Sequence, residues 1–149
     1  MLHLASTKTV AKIGTGDTTT SQTATHTIDT LGYGYASIDV VFEPAAATTD
    51  AICTALKVEE SDASGSGFAN ITELVGGGTG GFTIPTSGSK TADSNVVRLN
   101  LDLRSHKRYL KVSATPVAAS VVATVVRLGR AEVSPVSASD SGVQVVVNA

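Results

Sequence analysis

Tryptophan is missing from the 149-residue sequence, aromatic residues make up only 4 % of it, and cysteine and methionine each occur once. A single cysteine excludes an intrachain disulfide and any metal site that needs several cysteines. Cys53 lies in the apolar run 51–56, which favours a small buried side chain. Because aromatic side chains supply the largest buried areas, we expect modest burial within the chain and further apolar surface to be covered between subunits.

Long apolar runs are also missing. No stretch approaches the roughly 18 apolar residues that a membrane-spanning helix needs. No basic segment precedes an apolar core at the N-terminus, so we expect neither a membrane span nor a signal peptide. The chain is long enough to bury a core without metal ions or disulfides. The sequence therefore predicts one soluble domain, 1–149, made in a reducing compartment.

The charged residues are unevenly distributed along the chain. The net charge of −2 gives no overall argument for nucleic acid. Residues 1–89 hold three Lys or Arg and nine Asp or Glu, whereas residues 90–149 hold eight and four. An acidic half and a basic half predict ion pairs within the fold or between copies of it. The alternative is that strand faces of both signs are simply solvated.

Alternation of apolar and polar residues is the strongest positive signal. A period of two places one set of side chains on each face of a strand, and β-branched residues favour strand over helix. Such patterns occur at 9–13, 23–30, 35–43, 52–59, 68–75, 96–103, 109–115 and 119–130. About eight to ten short strands with turns at regular spacing predict an all-β domain, an antiparallel β-sandwich of jelly-roll or Ig-like type.

The two ends of the chain are expected to be extended. Residues 1–20 are interpreted either as an N-terminal arm that pairs with a neighbour or as a flexible end. Residues 131–149 predict an extended C-terminal segment, whose apolar, β-prone end needs pairing to avoid aggregation. Residues 119–130 are apolar on both faces, which is typical of a strand in a sandwich interior or in a sheet that a partner covers.

The stretch 95–115 predicts a hairpin around which the other strands are arranged. The predicted buried faces of its two strands are formed by Val97, Leu99, Leu101 and Leu103, and by Leu110, Val112 and Ala114. The connection between them, RSHKR at 104–108, is too polar to bury and suits a hairpin tip.

Catalytic and metal-binding motifs are not visible. His3, His26 and His106 lie in separate contexts, without the short spacing of a local metal site. The Gly-rich run 76–81 is not followed by the Lys-Ser/Thr and helix of a phosphate-binding loop, so we interpret it as a plain loop. The acidic cluster at 59–62 does not match a Ca²⁺-binding loop. We therefore expect no enzymatic activity, no metal and no cofactor.

The predicted contact site is the basic connection and its aromatic neighbour. It consists of Arg104, His106, Lys107, Arg108 and Tyr109. Strand-type nucleic-acid surfaces combine several stacking aromatic side chains with a wider basic patch, so direct nucleic-acid binding is not expected. We interpret the tip as a contact for an acidic protein surface, with a solvated tip as the alternative.

Three short motifs resemble small virion structural proteins of tailed bacteriophages and prophages. They are YASIDVVF at 35–42, ALKVEESD at 55–62 and KRYLKV at 107–112. In that pattern an alternating strand precedes an L-x-V-E-x-S-D hairpin, a Gly-rich loop and a (K/R)-R-Y-(L/V)-(K/R)-V strand. The similarity extends over residues 30–130.

The resemblance implies a capsid decoration, or cement, protein, which is small, β-rich and non-enzymatic. Such proteins bind the outside of an expanded capsid as homo-oligomers, often trimers. The implied partners are the major capsid protein and further copies of the chain, and the implied location is the virion exterior after synthesis in the host cytoplasm. One alternative is a phage tail or head–tail connector protein. Another is a carbohydrate- or host-binding β-sandwich module, against which the scarcity of aromatic side chains speaks.

Overall fold

The fold follows from eight β-strands and one 3₁₀ turn. The computed structural model describes residues 7–14, 22–43, 51–86, 95–117 and 120–131. The strands within these residues are β1 (Lys8–Gly14), β2 (Ala24–Asp29), β3 (Tyr33–Phe42), β4 (Cys53–Ser61), β5 (Ala69–Val75), β6 (Val96–Asp102), β7 (Tyr109–Pro116) and β8 (Val122–Ala131). The 3₁₀ turn, Leu103–Ser105, follows β6.

The strands form two antiparallel sheets of four strands each. Sheet A has the order β1-β8-β3-β6, and sheet B has the order β2-β7-β4-β5. The inner faces of the two sheets share a hydrophobic core. Because β8 lies between β1 and β3 while β7 lies between β2 and β4, the strand order is that of a jelly roll. The predicted all-β antiparallel sandwich is confirmed, and the jelly roll is the form observed.

Alternation decides which side chains form the core. On β3 the predicted inner residues Ala36, Ile38, Val40 and Phe42 are at most 2 % exposed. Sheet A adds Leu99, Leu101, Val126 and Leu128 to the core, and sheet B adds Ile28, Leu56, Val58, Leu110 and Val112. Since each fully buried side chain of this size contributes about 1.5–3 kcal/mol, these aliphatic residues hold the sheets together without a large aromatic contribution.

The alternation predicted for 52–59 is interrupted at the start of β4. A β-bulge lies between Cys53 and Ala55, and a bulge inserts one extra residue into a strand. Ile52 and Cys53 are consequently both buried, whereas Thr54 is exposed. Cys53 is buried, as predicted, and burial raises the pKa of its thiol to about 11.

The prediction that 95–115 forms a hairpin is wrong, because its two strands do not pair with each other. Both strands form with the predicted inner faces, but β6 pairs with β3 in sheet A, whereas β7 lies between β2 and β4 in sheet B. The charged connection therefore crosses from one sheet to the other. Leu103 is 7 % exposed and closes the core at this end of the sandwich. Asp102 caps the 3₁₀ turn, its carboxylate accepting the Arg104 N–H at 3.2 Å.

The Gly-rich run 76–81 is a turn, as predicted. Gly77 and Gly80 have φ angles of 73° and 80°, which favour glycine. After the turn, Phe82 and Thr86 form isolated β-bridges with Gly76 and Ala51. The strand predicted at 68–75 is β5, which pairs with β4 as the second strand of a hairpin.

The structure describes residues 7–14 of the predicted N-terminal arm and only the first residue of the predicted C-terminal segment. Residues 8–14, within the predicted N-terminal arm, form edge strand β1 and pair with β8 of the same chain. The strand predicted at 119–130 is β8, which lies in the middle of sheet A. Residues 1–6, with His3, and the C-terminal segment beyond residue 131 lie outside the described residues.

Candidate interaction surfaces

The predicted contact residues lie at one end of the sandwich, which we call the charged end: residues 102–109 with Asp29, Glu60 and Asp62. Arg108 donates its Nε and Nη2 hydrogens to the Asp29 carboxylate at 2.9 and 2.7 Å. Its guanidinium carbon also lies 4.9 Å from the centre of the Tyr109 ring. Arg104 forms an exposed ion pair with Asp102. Both arginines are thus paired within the chain.

His106 and Lys107 are held by two carboxylates at the end of β4, Glu60 within the strand and Asp62 just after it. The Nδ1 atom of His106 lies 2.8 Å from Oε2 of Glu60, and the same oxygen accepts the Lys107 backbone N–H at 3.0 Å. The Nζ atom of Lys107 lies 3.7 Å from Asp62. Partial burial acts to raise the pKa of Glu60, but the hydrogen bonds from Lys107 and His106 hold it below its ordinary value.

The charged end is therefore not a basic patch. Three ion pairs and the contact between His106 and Glu60 match each basic side chain with one carboxylate. The hydrogen bonds from Arg108 hold the pKa of Asp29 below its ordinary value, so this carboxylate is ionised at neutral pH. An acidic partner would meet little excess positive charge here. Contact of the predicted residues with a partner stays a prediction.

The acidic and basic halves of the sequence meet on the outer face of sheet A. Asp39 lies on β3 and is only 7 % exposed. Its carboxylate accepts two hydrogen bonds from Arg98 on β6, at 2.6 and 2.9 Å, and one from Arg127 on β8, at 2.9 Å. The hydrogen bonds from Arg98 hold the pKa of Asp39 below its ordinary value, with Arg127 acting in the same direction.

A second buried carboxylate lies on the outer face of sheet B. Glu59 is 7 % exposed and lies 3.0 Å from the Lys57 ammonium and 2.9 Å from that of Lys111. Burial acts to raise the pKa of Glu59, but the two ammonium groups hold it below its ordinary value. The ammonium of Lys111 also lies 4.4 Å from the Phe68 ring centre. The sequence left open whether the acidic and basic residues pair within the fold, pair between copies or are solvated. The described residues around Asp39 and Glu59 form ion pairs within the fold.

Sheet A carries an apolar row on its outer face. Ile13 of β1 lies opposite Ala123 of β8, Ala123 lies opposite Val41 of β3, and Val41 lies opposite Val96 of β6. We call these four residues the apolar row. The side chains cross all four strands in register, and Ile13 and Val96 are 68 % and 44 % exposed.

Two more exposed valines lie at the end of the sandwich opposite the charged end. They are Val117 and Val121, which flank the connection between β7 and β8. The middle of the outer face of sheet B instead carries the ion pairs of Glu59. The sequence signal for the apolar row was the strand at 119–130, apolar on both faces, although no local pattern related it to Ile13 or Val96.

A cleft of about 250 Å³ opens between edge strands β1 and β2. Lys12, Thr23, Thr25, His26 and Thr124 supply the polar atoms of its lining. The alternation at 23–30 placed His26 correctly on the inner face with Ala24 and Ile28. Because β1 and β2 belong to different sheets, the sequence did not show that Lys12 lies beside it.

Two general features bear on the class of protein. No helix within the described ranges is long and apolar enough to cross a membrane. The same residues hold no cluster of three His, Cys, Asp or Glu side chains that suits a metal ion.

In comparisons with known proteins, no family model and no curated protein matches the chain.

Proposed function

We propose that this chain is a non-enzymatic decoration protein that binds the outside of a bacteriophage capsid. The observation that carries the proposal is the apolar row. Monomeric soluble proteins rarely expose continuous apolar patches larger than a few hundred Å² unless these bind a partner. The apolar row crosses all four strands of sheet A, with Ile13 and Val96 exposed and Val41 and Ala123 half-buried between them. The resemblance of the motifs at 35–42, 55–62 and 107–112 supports a virion protein as the class.

The motifs and the apolar row have different roles in the fold. The three motifs lie on β3, β4 and β7, which are inner strands of their sheets, so they build the scaffold. Jelly rolls occur in viral capsid proteins and also in lectins, and a shared fold is only an analogy for function. The support for docking therefore comes from the apolar row on the outer face of sheet A, and not from the motifs or from the fold.

In the proposed complex the outer face of sheet A lies on the major capsid protein. The apolar row supplies the water-excluded centre of the contact, since burial of apolar surface drives association. Asp39 remains paired with Arg98 and Arg127 beside it, so docking buries no uncompensated carboxylate. Copies repeated by the symmetry of the shell add these modest contacts together and raise the barrier to capsid opening.

The docking face is tested with Val96→Asp, which places a charge in the apolar row at an exposed position. Binding to expanded capsid shells of the virus that carries the sequence is measured by co-sedimentation over a range of concentrations. We expect affinity to fall by about tenfold or more, because the new carboxylate loses its water in the contact. Unchanged affinity would remove the apolar row from the interface and with it the support for docking.

Matched controls separate docking from folding and from charge. Thr27→Asp introduces the same side chain on the outer face of sheet B, where Thr27 is exposed, and should bind as the unmodified protein does. A variant with Arg104, Lys107 and Arg108 all replaced by Gln tests the charged end. If that variant loses binding while Val96→Asp retains it, the charged end is the contact and the apolar row is not.

The number of copies per particle separates decoration from its alternatives. Hundreds of copies over the head, and a discrete trimer in native mass spectrometry of the purified protein, support a decoration protein. Rings confined to one vertex or to the tail would assign the chain to a connector or tail structure. Micromolar binding on a glycan array, without capsid binding, would instead indicate a carbohydrate-binding module.

A further inference from the structure

The cleft between β1 and β2 contains a buried histidine with an unpaired ring nitrogen. His26 lies on the inner face of edge strand β2 and is only 7 % exposed. Its Nδ1 atom has no hydrogen-bond partner among the described residues. Leaving a buried polar group unpaired is unfavourable, and most such groups in folded proteins have a partner. His26 lines the cleft, although Nδ1 itself is shielded from solvent. A ligand that turns the ring toward the cleft and pairs with Nδ1 would recover this free energy.

The other side of the cleft supplies a positive charge. Lys12 and Thr124 lie opposite each other on β1 and β8, facing β2 from sheet A. The Nζ atom of Lys12 donates to the backbone carbonyl of Thr25 at 2.7 Å, which anchors the ammonium across the cleft. An ammonium group has further N–H donors, and these remain to bind a ligand. The described lining holds no carboxylate.

We propose that this cleft binds a small oxyanion, such as a carboxylate or a sulfate- or phosphate-like group. A cation is disfavoured by Lys12, and a purely apolar ligand would leave the His26 ring nitrogen unpaired. An oxyanion accepts hydrogen bonds from the Lys12 ammonium, from a protonated His26 Nδ1 and from threonine hydroxyls. Such charge-assisted hydrogen bonds are among the strong ones in proteins.

The size of the cleft restricts the ligand further. Pockets for drug-sized molecules occupy about 300–1,000 Å³, so a cleft of about 250 Å³ suits an anionic group with few further atoms rather than a nucleotide. Ile13 of the apolar row lines the cleft, but Val96, the residue that tests docking, does not. Binding of an oxyanion is measured on the free protein and does not depend on capsid docking. The two proposals can therefore fail separately.

Binding should become tighter as the pH falls. Burial lowers the pKa of His26, and the charge of Lys12 lowers it further, so the imidazole is neutral at pH 7. Lys12 and His26 are the titratable groups among the described residues of the cleft. A bound anion stabilises the imidazolium, so the affinity rises as His26 becomes protonated.

The experiment is a titration of the full chain with sodium sulfate, followed by NMR of the His26 ring signals between pH 5 and pH 8. Sulfate does not titrate in this range, so any pH dependence comes from the protein. We expect saturable binding with a millimolar Kd, tighter at pH 5 than at pH 8. Sodium acetate at pH 7 tests whether a carboxylate binds the same residues.

Variants decide whether the cleft is the site. Lys12→Met and His26→Gln should each weaken sulfate binding about tenfold, whereas Lys8→Met removes a charge from the same strand outside the cleft and should not. Lys12 is exposed, so its variant remains informative if His26→Gln fails to fold. Non-saturable shifts, equal binding by Lys12→Met, or equally tight binding of neutral glycerol would overturn the proposal.

Discussion

Replacing Asp39 by asparagine removes one negative charge from the middle of sheet A while it preserves the shape of the side chain. The carboxylate joins three adjacent strands, because Asp39 is on β3, Arg98 is on β6 and Arg127 is on β8. Its side chain is 9 % exposed, whereas the two arginine side chains are 57 % and 51 % exposed. The substitution therefore affects a buried acceptor between two solvated donors.

The expected loss of stability follows from these exposures. Hydrogen bonds to charged groups contribute about 1.5–3 kcal/mol each, and breaking a fully buried ion pair costs about 3–5 kcal/mol. Here both arginines regain water when the charge is removed, and asparagine still accepts one hydrogen bond. We therefore expect a loss of about 2–3 kcal/mol, which for a domain of this size lowers the Tm by about 5–10 °C.

Urea denaturation followed by circular dichroism, repeated at several pH values, measures this loss. Arg98 holds the pKa of Asp39 below its ordinary value in the folded protein, so the unfolded chain takes up the proton first as the pH falls. The contribution of Asp39 is therefore complete above about pH 5 and declines as the pH falls below about 4. The difference between the unmodified protein and Asp39→Asn should shrink over the same acid range.

Asp102→Asn is the matched control, because it removes a carboxylate from an exposed pair in the same sheet. Asparagine also retains the cap of the 3₁₀ turn, and exposed ion pairs contribute little to stability. If Asp39→Asn unfolded at the same urea concentration as Asp102→Asn at neutral pH, the Asp39 contacts would not stabilise sheet A. A difference that stayed constant from pH 7 to pH 2 would exclude its carboxylate charge as the cause.

Two further predictions concern the core. Leu110→Ala, at a fully buried position of β7, should lower the free energy of unfolding by about 3 kcal/mol because it leaves a cavity between the sheets. Urea denaturation measures this change, and a loss below about 1 kcal/mol would contradict tight packing at this position. The Cys53 thiol is buried and its pKa is raised, so it should not react with Ellman's reagent at pH 8 until urea unfolds the chain. Rapid reaction of the folded protein would show that the start of β4 opens.

The faces of the strands could be predicted from the sequence, but their partners could not. Alternation on β3, β6 and β7 identified the inner residues because a half-buried strand needs one apolar side. The same pattern is satisfied by any antiparallel neighbour, so β6 and β7 could equally form a hairpin or lie in different sheets. Leu103 was predicted on the buried face of a strand, but it lies in the 3₁₀ turn that leads from one sheet to the other.

The candidate sites could be predicted from the sequence only in part, for the same reason. The basic residues at 104–108 were visible in the sequence, but Asp29 at the end of β2, Glu60 on β4 and Asp62 just after β4 lie beside them and pair with them. The apolar row depends on the registers of four strands, and its members are separated by long stretches of chain. Sequence patterns describe neighbours along one strand, whereas these surfaces consist of neighbours across strands.

The position of β8 has a consequence for the time at which the protein can fold during its synthesis. The last described strand lies between β1 and β3, so sheet A cannot be completed until residues near 131 have left the ribosome. Among the described strands, β4 and β5 are the consecutive pair that hydrogen-bond to each other, and folds dominated by distant pairings form slowly. A nascent chain that stops before Val122 would expose β1 without its β8 partner and leave one edge of β3 open to other chains.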